Sequence, residues 1–194
     1  MPGRFFLTRP DLLGLDTQPR ANIAPGEDVW VQTAKEMRLM RWGMIPVGRT
    51  NARGRPVLET IINVRSETLY TKSAFEGLRR AVVPVEGWYE WTGEKRRKTA
   101  WAIRPKDGGV LHFAAVYDIW QAPGGTEVAQ VATLTCAPSA DVRDIHHRMG
   151  VILKREDVSV WLGDDQNAAA DLMVPYPDGR LSVTPATDVD WTAP

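Results

Sequence analysis

Glycine and proline recur along the whole chain, 16 and 14 of them in 194 residues, and cut it into runs too short for long helices. Glycine supplies turn conformations that other residues resist, and proline interrupts both helix and central strand, so scattered punctuation of this kind favours short strands joined by turns. Between the breaks, apolar and polar residues alternate with the period of two that marks a half-buried strand. The candidate strands are 28–33, 36–42, 81–85, 89–92, 99–104, 110–117, 127–135 and 181–184. Helical spacing is confined to 9–15, 66–74 and 155–162. The expected class is α+β, a single compact domain over 1–194, with mostly antiparallel strands in a barrel-like arrangement and a few short helices.

A hydrophobic content of 43% with 25% charged residues suits one soluble domain with a sizeable core. No stretch approaches the roughly 20 apolar residues of a membrane-spanning helix, and the first twenty residues hold three arginines and two aspartates with no apolar run. A cytoplasmic location without membrane contact is expected. Cys136 is the only cysteine, which excludes an internal disulfide and argues against a cysteine-based metal site. Its place in the run Val131 to Cys136 suits a small core filler. Phosphate-loop, nucleophile-elbow and zinc-protease patterns are lacking, and neither cofactor, metal nor obligate protein partner is expected.

Net charge is zero, yet it is unevenly distributed: residues 35–106 carry 16 lysines and arginines against 7 acidic residues, whereas 156–194 carry 1 against 8. A basic face on a neutral protein is compatible with phosphate binding on one side. On charge alone, solvated basic loops account for it as well.

Several polar residues stand beside core-like runs. Asn63, Arg65 and Glu67 follow Ile61-Ile62; Glu90 lies between Tyr89 and Trp91; His146, His147 and Arg148 precede Met149 to Leu153. Each has a purely structural alternative: Asn63 as a turn cap before Ser66-Glu67, Glu90 as a buried partner of Arg65, His146 or His147 as a hydrogen-bonded core histidine.

The order of these segments is specific. Met1-Pro2-Gly3-Arg4-Phe5, Asn22-Ile23-Ala24-Pro25, Arg41-Trp42-Gly43-Met44-Ile45-Pro46, Ile62-Asn63-Val64-Arg65-Ser66-Glu67-Thr68, Pro84-Val85-Glu86-Gly87-Trp88-Tyr89-Glu90-Trp91 and Asp144-Ile145-His146-His147-Arg148-Met149 resemble, in order, the signature blocks of the SOS-response-associated peptidase (SRAP) family. The resemblance implies a strand-rich fold with a positively charged groove for single-stranded DNA containing abasic sites. In that family the initiator methionine is removed and an amino-terminal cysteine captures the ring-opened sugar aldehyde as a thiazolidine. Residue by residue, the resemblance places Asn63, Glu90 and His146 at catalytic positions, together with Pro2 at the nucleophile's position, and Arg4 and Arg65 at DNA-binding ones.

Elementary chemistry suits these assignments. An imidazole, with an ordinary pKa of about 6.5, can open a closed hemiacetal by proton transfer. A carboxylate can take the proton of an attacking amine and stabilise the resulting iminium. An asparagine can hold sugar or amine by hydrogen bonds, and arginines can fork onto phosphates so that aldehyde meets amine.

Pro2 departs from the family, because without its thiol the thiazolidine route is closed. After removal of Met1, its secondary amine can still form an iminium and promote β-elimination, a transient lyase-like chemistry. The alternative is a catalytically silent binder of single-stranded DNA, and the least favoured reading is an amino-terminal-nucleophile peptidase, for which position 2 offers no nucleophile. Further departures are Gly150 in place of a proline, and Val47-Gly48 where an aromatic residue able to stack on a base is common. The nearby Arg49, Arg53 and Arg55 offer electrostatic contact in its place. Arg96-Arg97-Lys98 is expected at a solvated hairpin tip.

Overall fold

The computed structural model describes residues 2–45, 60–94, 97–121 and 124–192. In chain order the strands are β1 (Arg4–Leu7), β2 (Arg20–Ile23), β3 (Asp28–Gln32), β4 (Met37–Trp42), β5 (Asn63–Arg65), β6 (Arg79–Val85), β7 (Gly87–Thr92), β8 (Thr99–Pro105), β9 (Leu111–Gln121), β10 (Glu127–Cys136), β11 (Met149–Gly150), β12 (Ile152–Leu153) and β13 (Leu181–Pro185). The helices are short: α1 (Val158–Leu162), α2 (Gln166–Asp171) and single 3-10 turns at Pro10–Leu13, Ser66–Thr68, Ser73–Phe75 and Arg155–Asp157.

Two sheets carry the fold. One has the order β13-β8-β7-β1-β2. In the other, β10-β4-β3-β6-β9 closes on itself through the β9–β10 pairing into a five-stranded barrel. Closure removes the exposed edges that an open sheet would present. The barrel pairings are antiparallel except β4 with β10. β10 then exchanges neighbours: Gln130 and Val131 pair with β4, whereas Thr133 to Thr135 pair in parallel with β5. On the opposite edge β9 and β10 separate and β11–β12 wedge between them, with Val151 accepting from the Ala114 amide and donating to the Leu134 carbonyl.

The core lies between barrel and sheet. Phe5 from the sheet meets Trp42 and Phe113 of the barrel at ring-centroid distances of 4.3 and 5.1 Å, and Trp88 meets Phe113 edge-on at 5.4 Å. All four side chains are fully buried. Two glycines leave room for buried rings, Gly87 for Phe6 on the sheet's other face and Gly150 for Phe113 in this core. A Cβ on Gly87 would lie 2.3 Å from the Phe6 ring, and one on Gly150 would lie 2.1 Å from the Phe113 ring. Gly150 therefore leaves its space to Phe113.

Each strand expected from alternation is present, with ends moved by a few residues. The elements that alternation does not reveal are the short ones. β1 has three consecutive buried residues and no alternation, and β5, β11 and β12 span two or three residues. α2 does carry a local signal in Asp165, whose carboxylate accepts from the Asn167 and Ala168 amides. Residues 9–15 and 66–74 hold 3-10 turns in place of longer helices. Thr92 and Thr99 are paired across the β7–β8 hairpin, whereas Arg96, Pro46 to Gly48 and Arg49, Arg53 and Arg55 lie outside the described residues.

Candidate amino-terminal active site

The amino terminus is drawn into the protein by β1, whose Phe5 and Phe6 are buried on opposite faces of the sheet. Because β1 runs antiparallel to β7 with Arg4 opposite Tyr89, the chain ahead of Arg4 runs beside Glu90. Pro2 is buried, and its carbonyl accepts a 2.7 Å hydrogen bond from Asn63 Nδ2. Asn63 is itself oriented, since its Oδ1 accepts from the Thr133 hydroxyl at 2.7 Å. The exchange of neighbours by β10 makes this possible, because only the parallel β5 pairing sets Asn63 beside Thr133.

Glu90 shares the core-facing side of β7 with Trp88 and is 3% exposed. Its Oε1 accepts from the Trp88 indole at 3.3 Å. Burial raises its pKa above the usual carboxylate range, while the positive charge of the chain's amino terminus, carried by Met1, and the indole pull it back down. A buried carboxyl facing an amine is the arrangement that proton exchange with that amine requires. Arg65 is exposed and is not its partner.

His146 is half-buried and stacks on exposed His147, with ring centroids 4.4 Å apart. Its pKa is lowered by burial first, then by the amino-terminal charge and by His147. Nδ1 lies 2.9 Å from the Arg148 amide and 3.0 Å from the Arg148 carbonyl. The ring thus meets a donor when neutral at Nδ1 and an acceptor when protonated there, a partner for each state of a group that cycles a proton.

The clasp that holds this loop has no counterpart in the sequence reading. Arg148 forks onto Glu67 at 2.6 and 2.9 Å and also donates to the Thr135 carbonyl at 2.6 Å. The guanidinium holds the Glu67 carboxyl down to about 2. Glu67 and Arg148 stand out as charges beside apolar runs, but nothing in their spacing indicates that they meet. Thr133, buried within a mostly apolar stretch of β10, carries no signal of its role.

Pro2 and Asn63 are therefore in direct contact, and Glu90 and His146 both sense the amino-terminal charge, which Met1 carries. The two arginines lie apart from this group. Arg65 follows Asn63 by two residues on the same face of β5. Arg4 shares the outer face of its sheet with Tyr89, opposite to Glu90, and donates to Asn22 Oδ1 at 2.8 Å. Cys136 does not replace the absent thiol: it is 3% exposed and burial pushes its pKa up to about 12. Trp42 is a core residue and Pro25 an exposed turn residue. No cluster suited to a metal occurs among the described residues, and no helix among them is long and apolar enough to cross a membrane.

Residues 9–189 match the profile of the family described as SOS response associated peptidase. The chain belongs to the SRAP family. It is 31% identical over 169 residues to abasic site processing protein YobE of Bacillus subtilis, covering 81% of this chain and 76% of that one. It is 29% identical over 184 residues to YedK of Escherichia coli, with 84% and 79% covered. It is 28% identical over 182 residues to HMCES of Mus musculus, with 77% and 52% covered. Both carry the same abasic-site-processing description. A crystal structure of a protein from Bordetella bronchiseptica superposes with a TM-score of 0.80 at 21% identity, over 96% of this chain and 100% of that one, which shows the fold to be shared.

Proposed function

We propose that this SRAP protein engages abasic sites in single-stranded DNA through its amino-terminal residue, and that Pro2 converts the family's durable capture into a transient lyase reaction. The observation that carries this reading is the bond from Asn63 to the Pro2 carbonyl, which holds residue 2 directly behind Met1, whose amino-terminal charge acts on both Glu90 and His146. Names of relatives such as YobE and HMCES support the lesion.

Once Met1 is removed, the Pro2 amine adds to the sugar aldehyde and water leaves, forming an iminium. A secondary amine has no further N–H to lose, so the iminium stays cationic and draws electrons from the neighbouring C2′–H bond. Glu90 or His146 takes that proton, the C3′–O bond breaks, and the 3′ phosphate departs with the electron pair. Water then hydrolyses the conjugated iminium and releases the protein. His146 first assists opening of the sugar hemiacetal, and Arg65 contacts phosphate from the exposed face of β5 beside Asn63, with Arg4 a second contact on the sheet's outer face.

The test uses protein whose intact mass confirms loss of Met1, with an oligonucleotide bearing one abasic site. A covalent adduct that requires borohydride, together with strand scission, is expected. Both should disappear when a residue is added ahead of Pro2. Binding without either product identifies a silent binder, and an adduct stable without borohydride overturns the iminium chemistry.

A further inference from the structure

A polar cleft lies away from the amino-terminal site, at the other end of β8. Glu90 pairs with Trp101 at one end of β8, whereas Pro105 at the other end pairs with Leu181 of β13. Around that second end lies a cleft of about 1140 Å³, larger than a typical small-ligand pocket of roughly 300–1,000 Å³.

Four cations border it: Lys106 from the β8–β9 turn, Lys154 and Arg155 after β12, and Arg180 before β13. Among the described residues none of the four pairs with a carboxylate. Arg180 is the one basic residue in 156–194. The acidic side chains on the lining are Asp107 and Glu156, and Asp107 already accepts from the Gly109 amide at 3.0 Å. The half-buried Tyr176 and His112 contribute rings. His112 has its pKa lowered by burial and by the charge of Arg155, so it presents a neutral ring at pH 7.

The wall is set in advance. Asp141 accepts from the Gly179 and Leu181 amides at 3.1 and 3.0 Å, and the Lys106 amide donates to the Arg180 carbonyl at 2.9 Å. A cleft with an excess of positive charge at its rim and aromatic rings on its lining suits a ligand that joins an anion to a flat ring.

The geometry points to a nucleotide-binding site here, with phosphate held by Lys154, Arg155 and Arg180 and the base against Tyr176. The same chemistry is offered by a free nucleotide and by the end of a nucleic-acid strand. The site is independent of the amino-terminal pocket and of the reaction proposed there.

Calorimetric titration of the full chain with deoxyadenosine 5′-monophosphate tests it, alongside deoxyadenosine, inorganic phosphate and an undamaged hexathymidylate. Deoxyadenosine monophosphate should bind at least about tenfold more tightly than nucleoside or phosphate, because only it spans both halves. Lys154→Ala with Arg155→Ala should weaken it about tenfold or more, as should Tyr176→Leu, with unfolding temperatures unchanged in the surface lysine-arginine variant. If hexathymidylate shows the same losses, the ligand includes a strand end; if only the mononucleotide does, it is a free nucleotide. Absence of mononucleotide binding at millimolar concentration, equal binding of inorganic phosphate, or indifference to these substitutions overturns the assignment.

Discussion

At the scale of single residues, the site sets stability against reactivity. Glu90 is a carboxyl whose pKa is raised in the folded protein chiefly by burial. Folding therefore favours its protonated form, and its contribution is fully present below the unfolded pKa and lost as pH rises through the folded value. At neutral pH the ionised group weighs against the fold. Glu90→Gln is expected to unfold at a temperature equal to or a few degrees above that of the parent at pH 7–8, an advantage that fades in acid, while slowing adduct formation by roughly tenfold or more. A lower unfolding temperature at pH 8 would identify Glu90 as a structural anchor.

His146 is lowered from its ordinary value, with His147 among the causes. The acid limb of the adduct-forming rate should therefore lie below about pH 6.5. His147→Ala removes one repulsive charge and should move that limb to higher pH without lowering the plateau. An unmoved limb would dissociate the stacked pair from proton transfer. Asn63 and Glu90 are legible as polar interruptions of apolar runs and through the order of the family blocks. Thr133, which orients Asn63, is not, because a buried threonine in an apolar strand looks like any other β-branched residue.

At the scale of elements, the site depends on how segments distant in sequence are fastened. The Arg148–Glu67 clasp ties the turn after β5 to the histidine loop and to β10. Arg148 is 13% exposed and Glu67 54%, so the ion pair itself contributes at most about 1 kcal/mol, whereas removal of Arg148 also strips partners from Thr135 and Glu67. Arg148→Ala should cost about 1–3 kcal/mol in denaturant unfolding and slow adduct formation. Glu67→Gln should cost less. The Glu67 carboxyl sits at about 2 in place of 4.5, so its stabilisation is present above about pH 4.5 and lost as pH falls toward 2. The difference between parent and Glu67→Gln should vanish over that interval; a difference that persists at pH 2 would mean the pair acts through shape alone.

The β11–β12 wedge makes a second element-scale demand. With a Cβ on Gly150 lying 2.1 Å from the Phe113 ring, Gly150→Ala overpacks the core and should lower stability by about 1–3 kcal/mol. Phe113→Leu in the same chain should recover part of that loss. Additive losses would show that the ring is not what requires the glycine.

At the scale of the whole molecule, a neutral chain keeps the two arginines proposed to contact DNA in different states of engagement. Arg65 is exposed, whereas Arg4 is half-buried and bonded to Asn22, which also reaches the Asp190 carbonyl near the far end of the chain. Removing one arginine that neutralises a phosphate should reduce the slope of log affinity against log salt by about 0.7 for a single strand. Arg65→Ala should show that change at unaltered stability, whereas Arg4→Ala should lower stability too, measured by salt titration of binding and by thermal unfolding. Equal stability losses in both would contradict the difference in their surroundings.

The strand-rich class and the punctuation between strands were determined by the sequence, because alternation and turn chemistry are local properties, whereas Asn63, Glu90 and His146 are singled out as catalytic candidates only through the order of the family blocks. Tertiary structure alone decided that β10 exchanges β4 for β5, that residues 149–153 wedge into the barrel, that Arg148 meets Glu67, and that Arg4 faces away from Glu90. Those are pairings between residues remote along the chain, and a local pattern specifies which face a strand buries without specifying which partner it will find.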